Sequence, residues 1–342
     1  MNAKKIDITA LDEWVDGCIA ERTVYGPRAK GDRFVFGQLE RAGELRLDYD
    51  VTILPPKKYL QPQKEALLSF GRDGKFESVV DDSPFVLFGV HPYDMVAINQ
   101  MDTIFTLDDE DVHYTARRKN AVIVVNDVET VSANVFAGCM GTATVDKGFD
   151  ILLTRIGDAY LVDARTDKGE ELAGALADAP DASEADIEDR KKIQEKNTEL
   201  LKKHDLKVPL SELPGLLAGS MEHPVWNEKS RTCYSCGSCN LVCPTCYCFD
   251  VQDDVDWNLE SGTRCRSWDA CLLRDFATVA GDHNFRRRRS DRYRHRYYRK
   301  GGYMPEKIGE IGCVGCGRCV TACTAKIANP VEVFNALLEK AQ

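Results

Sequence analysis

The chain has 342 residues, 45 Lys+Arg against 55 Asp+Glu, and a formal net charge of −10. That acidic balance argues against a dedicated nucleic-acid binder. No run approaches the ~20 apolar residues that span a bilayer, and the opening Met1-Asn-Ala-Lys-Lys-Ile-Asp-Ile-Thr9 lacks the apolar stretch of a secretory signal.

In chain order, the first predicted element is a helix over residues 10–22. Leu11, Trp14, Val15, Cys18 and Ile19 share one face, which makes Cys18 a small core residue. Pro84-Phe-Val-Leu-Phe-Gly-Val90 and Ala121-Val-Ile-Val-Val125 read as buried strands. Ile151–Val162 reads as two strands joined by a Gly157-Asp158 turn. From Lys168 to about His204 the composition turns to Ala, Asp, Glu and Lys. A loop is expected at 177–183 and a solvated helix at Ile187–His204. Boundaries are expected near 165 and 225.

Fourteen Cys are present, and only Cys18 and Cys139 precede residue 230. A disulfide framework would staple the whole chain. Clustering instead marks one metal-rich segment on a Cys-poor platform. Cys233-x2-Cys236-x2-Cys239-x3-Cys243, followed by Pro244, is matched by Cys313-x2-Cys316-x2-Cys319-x3-Cys323. A tight loop with a thiolate every third residue wraps three irons of a cube, and the fourth Cys points away toward the other cluster. Cluster one is therefore assigned to Cys233, Cys236, Cys239 and Cys323, and cluster two to Cys313, Cys316, Cys319 and Cys243. Gly237, Gly315 and Gly317 lie where the backbone must bend around sulfur. Structural zinc is the rival, but zinc sites usually use two Cys pairs.

The spacer 244–312 carries Cys246, Cys248, Cys265 and Cys271, enough thiols for a third cluster. His283 is an alternative ligand, because histidine can replace Cys on cluster iron; buried free thiols are the plain alternative. Arg286–Lys300 holds nine basic residues and one acid. Partner docking or compensation of cluster charge is favoured over stacking on single-stranded RNA. No Gly-x-Gly-x-x-Gly or phosphate-binding loop follows a strand, and no nucleophile signal is visible. Four-Cys clusters are saturated and pass single electrons, so no catalytic residue is assigned.

The stretches Cys233–Val251, Arg266-Ser-Trp-Asp-Ala-Cys271, Val279-Ala-Gly-Asp-His-Asn-Phe-Arg286 and Cys313–Cys323 resemble the β-subunits of cytoplasmic sulfhydrogenases and the A-subunit of anaerobic sulfite reductase. Phe88–Met95, Tyr114–Arg118, Met140–Thr142 and Gly148–Thr154 carry a weaker likeness. Family members often have Cys at the position of Tyr93 and further Cys near Asn126, Val135 and Ala137, so no N-terminal cluster is expected here. The family-like extra set is Cys246, Cys248 and Cys271, which leaves Cys265 or His283 as the fourth ligand of a third cluster. The resemblance implies an iron–sulfur relay between a flavin- and NAD(P)H-binding subunit and a catalytic subunit, a NiFe hydrogenase or a sirohaem sulfite reductase, with the hydrogenase type favoured. A cytoplasmic, anaerobic setting without membrane or nucleic acid is expected.

The expected architecture is α+β. A mixed α/β platform occupies 1–165 and a helical acidic connector 166–230. A mostly helical ferredoxin-like domain with two 4Fe–4S clusters occupies 231–330, and a helix end 331–342. A nucleic-acid module with structural metal and a free ferredoxin-like carrier are the competing classes; the large platform argues against a free carrier.

Overall fold

The computed structural model describes residues 3–339; residues 1–2 and 340–342, the outer ends of the first and last expected segments, lie outside it. The strands, in chain order, are β1 (Lys4–Asp7), β2 (Thr23–Lys30), β3 (Arg33–Gln38), β4 (Lys64–Gly71), β5 (Phe76–Ser78), β6 (Phe85–Val90), β7 (Ala121–Asn126), β8 (Ile151–Ile156), β9 (Ala159–Ala164), β10 (Phe249–Val255) and β11 (Ser261–Trp268), with a two-residue ribbon, Thr278–Val279 and His283–Asn284, after them. The three apolar runs form β6, β7 and the β8–β9 hairpin, as their patterning predicts.

Seven strands make one sheet in the order β1-β9-β8-β7-β6-β2-β3. Its centre, β2-β6-β7-β8, is parallel, with Val24 opposite Val86 and Leu87 opposite Ile123. Parallel strands covered on both faces read as continuous apolar runs, and successive side chains alternate between two cores. Val86, Phe88, Val122, Val124, Ile151 and Leu153 face the helix Ile8–Glu21, which contributes Leu11, Trp14, Val15 and Cys18. Phe85, Leu87, Ile123, Val125 and Leu152 face the opposite way, against Met95, Ile98, Met101 and Phe105 of the helix Pro92–Thr106. Trp14 buries its ring against Phe88 and still satisfies its Nε1–H on the Leu172 carbonyl at 2.9 Å.

The second sheet, β10-β11-β4-β5, is antiparallel throughout. It joins residues 64–78 to residues 249–268, across the boundary expected near 225. Its strength lies in buried charge: Glu65 on β4 accepts from Arg117 at 2.5 Å and from Arg266 on β11 at 2.8 Å. The region expected to be mostly helical thus carries a long β-hairpin as well as helices. No described helix is long and apolar enough to cross a membrane.

The acidic segment forms the helix Glu184–Leu200, starting three residues before the expected Ile187 because Ser183 caps it. Ser183 and Asp186 bond reciprocally in a capping box. Ser183→Ala is expected to remove about 1 kcal/mol of stability, read as a lowered midpoint in thermal unfolding with an unchanged iron content.

Candidate iron–sulfur centre

The two Cys runs fold alike. Each wraps a loop and then enters a short helix, Ser238–Leu241 or Arg318–Ala322, through a left-handed glycine, Gly237 at φ 73° and Gly317 at φ 74°. Ser235 and Gly315 occupy equivalent places with φ 53° and 66°. The second loop is pressed against the platform: a Cβ on Gly317 would lie 2.3 Å from the Asn134 carbonyl oxygen, and one on Gly315 would lie 2.6 Å from the Ala137 nitrogen. Glycine is required there by close approach as well as by φ. Phe136 N–H donates to the Gly315 carbonyl at 2.7 Å, and the Thr142 hydroxyl to that of Val314 at 2.8 Å.

Cys233, Cys236, Cys239 and Cys323 line one cavity with Leu272 and Tyr293. Cys236 is exposed, so this set reaches the surface. Backbone N–H groups point at its sulfurs, Ser235 N at 3.4 Å from Cys233 Sγ and Ile327 N at 3.5 Å from Cys323 Sγ. Cys313, Cys316 and Cys319 lie deeper, and Cys243 is an electrostatic neighbour of all three. Burial pushes the Cys239 and Cys313 thiols up to about 12. Iron binds thiolate, so loading these sites releases protons and is favoured by rising pH.

Cys246, Cys248 and Cys271 line a third chamber with Asn240, Thr245, Met304, Arg296, Arg299 and Lys300. Cys246 donates to Cys243, and Cys271 to Cys248, which raises the donor thiols and lowers the acceptors. The other two residues named from sequence lie elsewhere. Cys265 is on β11, opposite Gln252 and Ala66, and bonds toward Asp254. His283 is exposed in the two-residue ribbon, its ring edge-on to Phe285. Cys139 donates to the His204 carbonyl at 3.1 Å. Cys18 is buried in the sheet core.

The basic run, expected to dock a partner or to compensate cluster charge, turns three of its cations inward. Arg289–Tyr298 is a helix, extended by a wider turn over Arg299–Tyr303. Arg292, Arg296 and Lys300, four residues apart, are all buried. Arg292 faces Cys233; Arg296 faces Cys239, Cys319 and Cys243; Lys300 faces Cys243, Cys246 and Cys313. The neighbouring face, Tyr293, Tyr297 and Tyr298, packs with Trp226, Leu213, Leu217 and Phe334. Arg296 Nε and Nη1 are buried without a hydrogen-bond partner. Arg296 bonds toward Cys319, but buried cationic donors left unpaired are costly unless an anion lies against them, and an anionic iron–sulfur cage is such a group. The signal was legible in the i, i+4, i+8 spacing.

Among the described residues no three His, Cys, Asp or Glu side chains converge on a single-ion position. The thiols instead stand around shared chambers, the spread a four-iron cage needs. These donors and buried cations fit such cages.

A family model for a 4Fe–4S dicluster domain matches residues 232–327. The chain is 37% identical over 317 residues to the sulfhydrogenase 2 subunit beta of Pyrococcus furiosus, covering 92% of each chain. No solved structure gives a match. The paired cysteine loops, their buried cationic helix and this full-length similarity together place the chain in the family of sulfhydrogenase β-subunits.

Proposed function

We propose that this chain is the electron relay of a cytoplasmic hydrogenase-type complex. It would pass electrons between a flavin- and NAD(P)H-binding subunit and a catalytic hydrogenase subunit. Cys233, Cys236, Cys239 and Cys323 hold one 4Fe–4S cluster, and Cys313, Cys316, Cys319 and Cys243 hold the other. When bound, the clusters supply one-electron carriers. The chain's own residues set their surroundings. What supports this reading is that Cys323 lines a cavity with Cys233, Cys236 and Cys239, while Cys243 neighbours Cys313, Cys316 and Cys319; the first set opens to solvent at Cys236, and Cys316 and Cys319 of the second are buried. Such a pair spans from surface to interior, as a wire between two partners must. The Arg292–Arg296–Lys300 spine between the sets offsets their negative charge.

Iron and acid-labile sulfide counts on anaerobically purified chain test this, together with spectra before and after reduction. At least about eight irons per chain are expected for two clusters. Cys236→Ala and Cys319→Ala are each expected to remove about four irons from the count. Zinc without sulfide, or a spectrum indifferent to reductant, would overturn the reading. Co-purification from native extract is expected to bring down both a flavin-containing and a nickel-containing subunit.

A further inference from the structure

The spacer cysteines raise a counting problem that the fold resolves. Cys233, Cys236, Cys239 and Cys323 surround the outer site. Cys313, Cys316 and Cys319 surround the inner one, and Cys246, Cys248 and Cys271 the third chamber. Cys243 stands between the last two, an electrostatic neighbour of Cys313, Cys316 and Cys319 and hydrogen-bonded to Cys246. These are eleven thiols, whereas three fully cysteine-held cages would take twelve. The remaining cysteines do not make up the difference: Cys265 sits on the hairpin beside Asp254, Cys139 against the His204 carbonyl, and Cys18 in the sheet core.

We infer that the third chamber holds a 4Fe–4S cluster with one iron not ligated by cysteine, open to a small anion. This rests on the iron–sulfur reading above. The same chamber is lined by Arg296, Arg299 and Lys300 and by no carboxylate. Lys57, itself buried, reaches in from the platform to the Cys246 carbonyl. Four cations around three thiols select a negatively charged exogenous ligand, such as hydroxide, hydrosulfide or cyanide. Asn240 Nδ2 contacts both Cys271 Sγ at 3.2 Å and Cys246 Sγ at 3.6 Å. It thus stands between two of the ligating sulfurs.

An iron held only by sulfide and an exchangeable ligand is the first to leave on oxidation. One electron passes from the cluster to ferricyanide: 4Fe–4S (2+) becomes 3Fe–4S (1+), ferrous iron departs, and ferrocyanide forms. The test is run on the full chain, purified without oxygen. About twelve irons per chain are expected, with about one lost on ferricyanide treatment as the electron-spin signal of a 3Fe–4S centre appears. Isotope-labelled cyanide is expected to add hyperfine coupling to the reduced chain. Cys246→Ala and Cys271→Ala should each lower the count to about eight irons and abolish both responses. Cys265→Ala and His283→Ala should leave count and responses unchanged. Twelve irons with neither conversion nor cyanide coupling, or loss of about four irons in Cys265→Ala or His283→Ala, would overturn the open iron. About eight irons in the unsubstituted chain would overturn the third cluster while leaving the two-cluster relay standing. Zinc in place of iron would remove both.

Discussion

Asp94→Ala is expected to destabilise the folded chain by about 3–5 kcal/mol, because it strands a buried guanidinium. Asp94 starts the helix Pro92–Thr106 on the platform, and Arg318 sits within the second cysteine loop, between Cys316 and Cys319. Their side chains are 0% and 1% exposed and form two parallel bonds of 2.6 Å. Arg318 spends its remaining donors on Thr52, at 2.9 Å to the carbonyl and 3.0 Å to the hydroxyl. The pair therefore fixes the loop to the platform as well as satisfying its own charges. Two measurements should move together in Asp94→Ala. The thermal midpoint should fall by roughly 10 °C, and the iron count should fall by about four as the inner site loses its seat. The double variant Asp94→Leu with Arg318→Met removes both charges and is expected to recover most of the stability. A midpoint within about 2 °C of the parent in Asp94→Ala would show that Arg318 finds other acceptors and that the pair is not the anchor.

That anchor also marks the limit of what the sequence displays. The cysteine runs were legible because their spacing is local, and three residues of chain suffice to express it. The central strands were legible because burial on both faces leaves no polar residue in Phe85–Val90 or Ala121–Val125. The pairing of β4 with β11 was not. Lys64–Gly71 and Ser261–Trp268 are separated by nearly two hundred residues, and Phe249–Val255 is exposed along its whole length. What holds these strands to the body is the Glu65–Arg117–Arg266–Asp111 network, whose members look like ordinary surface charges until the fold brings them together. The same distance effect governs the third chamber. Cys265 is close in sequence to Cys271, but β-pairing carries it to the hairpin, whereas Cys246, Cys248 and Cys271 are drawn in around Asn240.

Arg296→Met is expected to lower the midpoint potentials of both cysteine-loop clusters by about 100 mV. The guanidinium is fully buried and faces Cys239 of one set and Cys319 and Cys243 of the other. Reduction adds negative charge to a site already surrounded by thiolates, so a nearby fixed cation stabilises the reduced form more than the oxidised one. With an effective dielectric constant of about 20 and a separation of about 7 Å, one unit charge contributes roughly 2–3 kcal/mol. For one electron that converts to roughly 100 mV, at about 59 mV for each factor of ten. Methionine preserves the apolar stem and removes only the charge, so the cation is tested apart from the packing. Of the two cysteine-loop clusters, Lys300→Met should act on the inner one, because its thiol neighbours in those loops are Cys243 and Cys313. Arg292→Met should act on the outer set through Cys233. Arg287, in the same run but exposed, should be silent. Raising the salt concentration should not reproduce any of these shifts, since mobile ions screen exposed charges far better than buried ones. Equal midpoints in Arg296→Met and the parent would mean that the buried spine holds the loops without tuning them. Four-residue spacing in the basic run would then answer to packing, with the partners of the complex left to set the direction of electron flow.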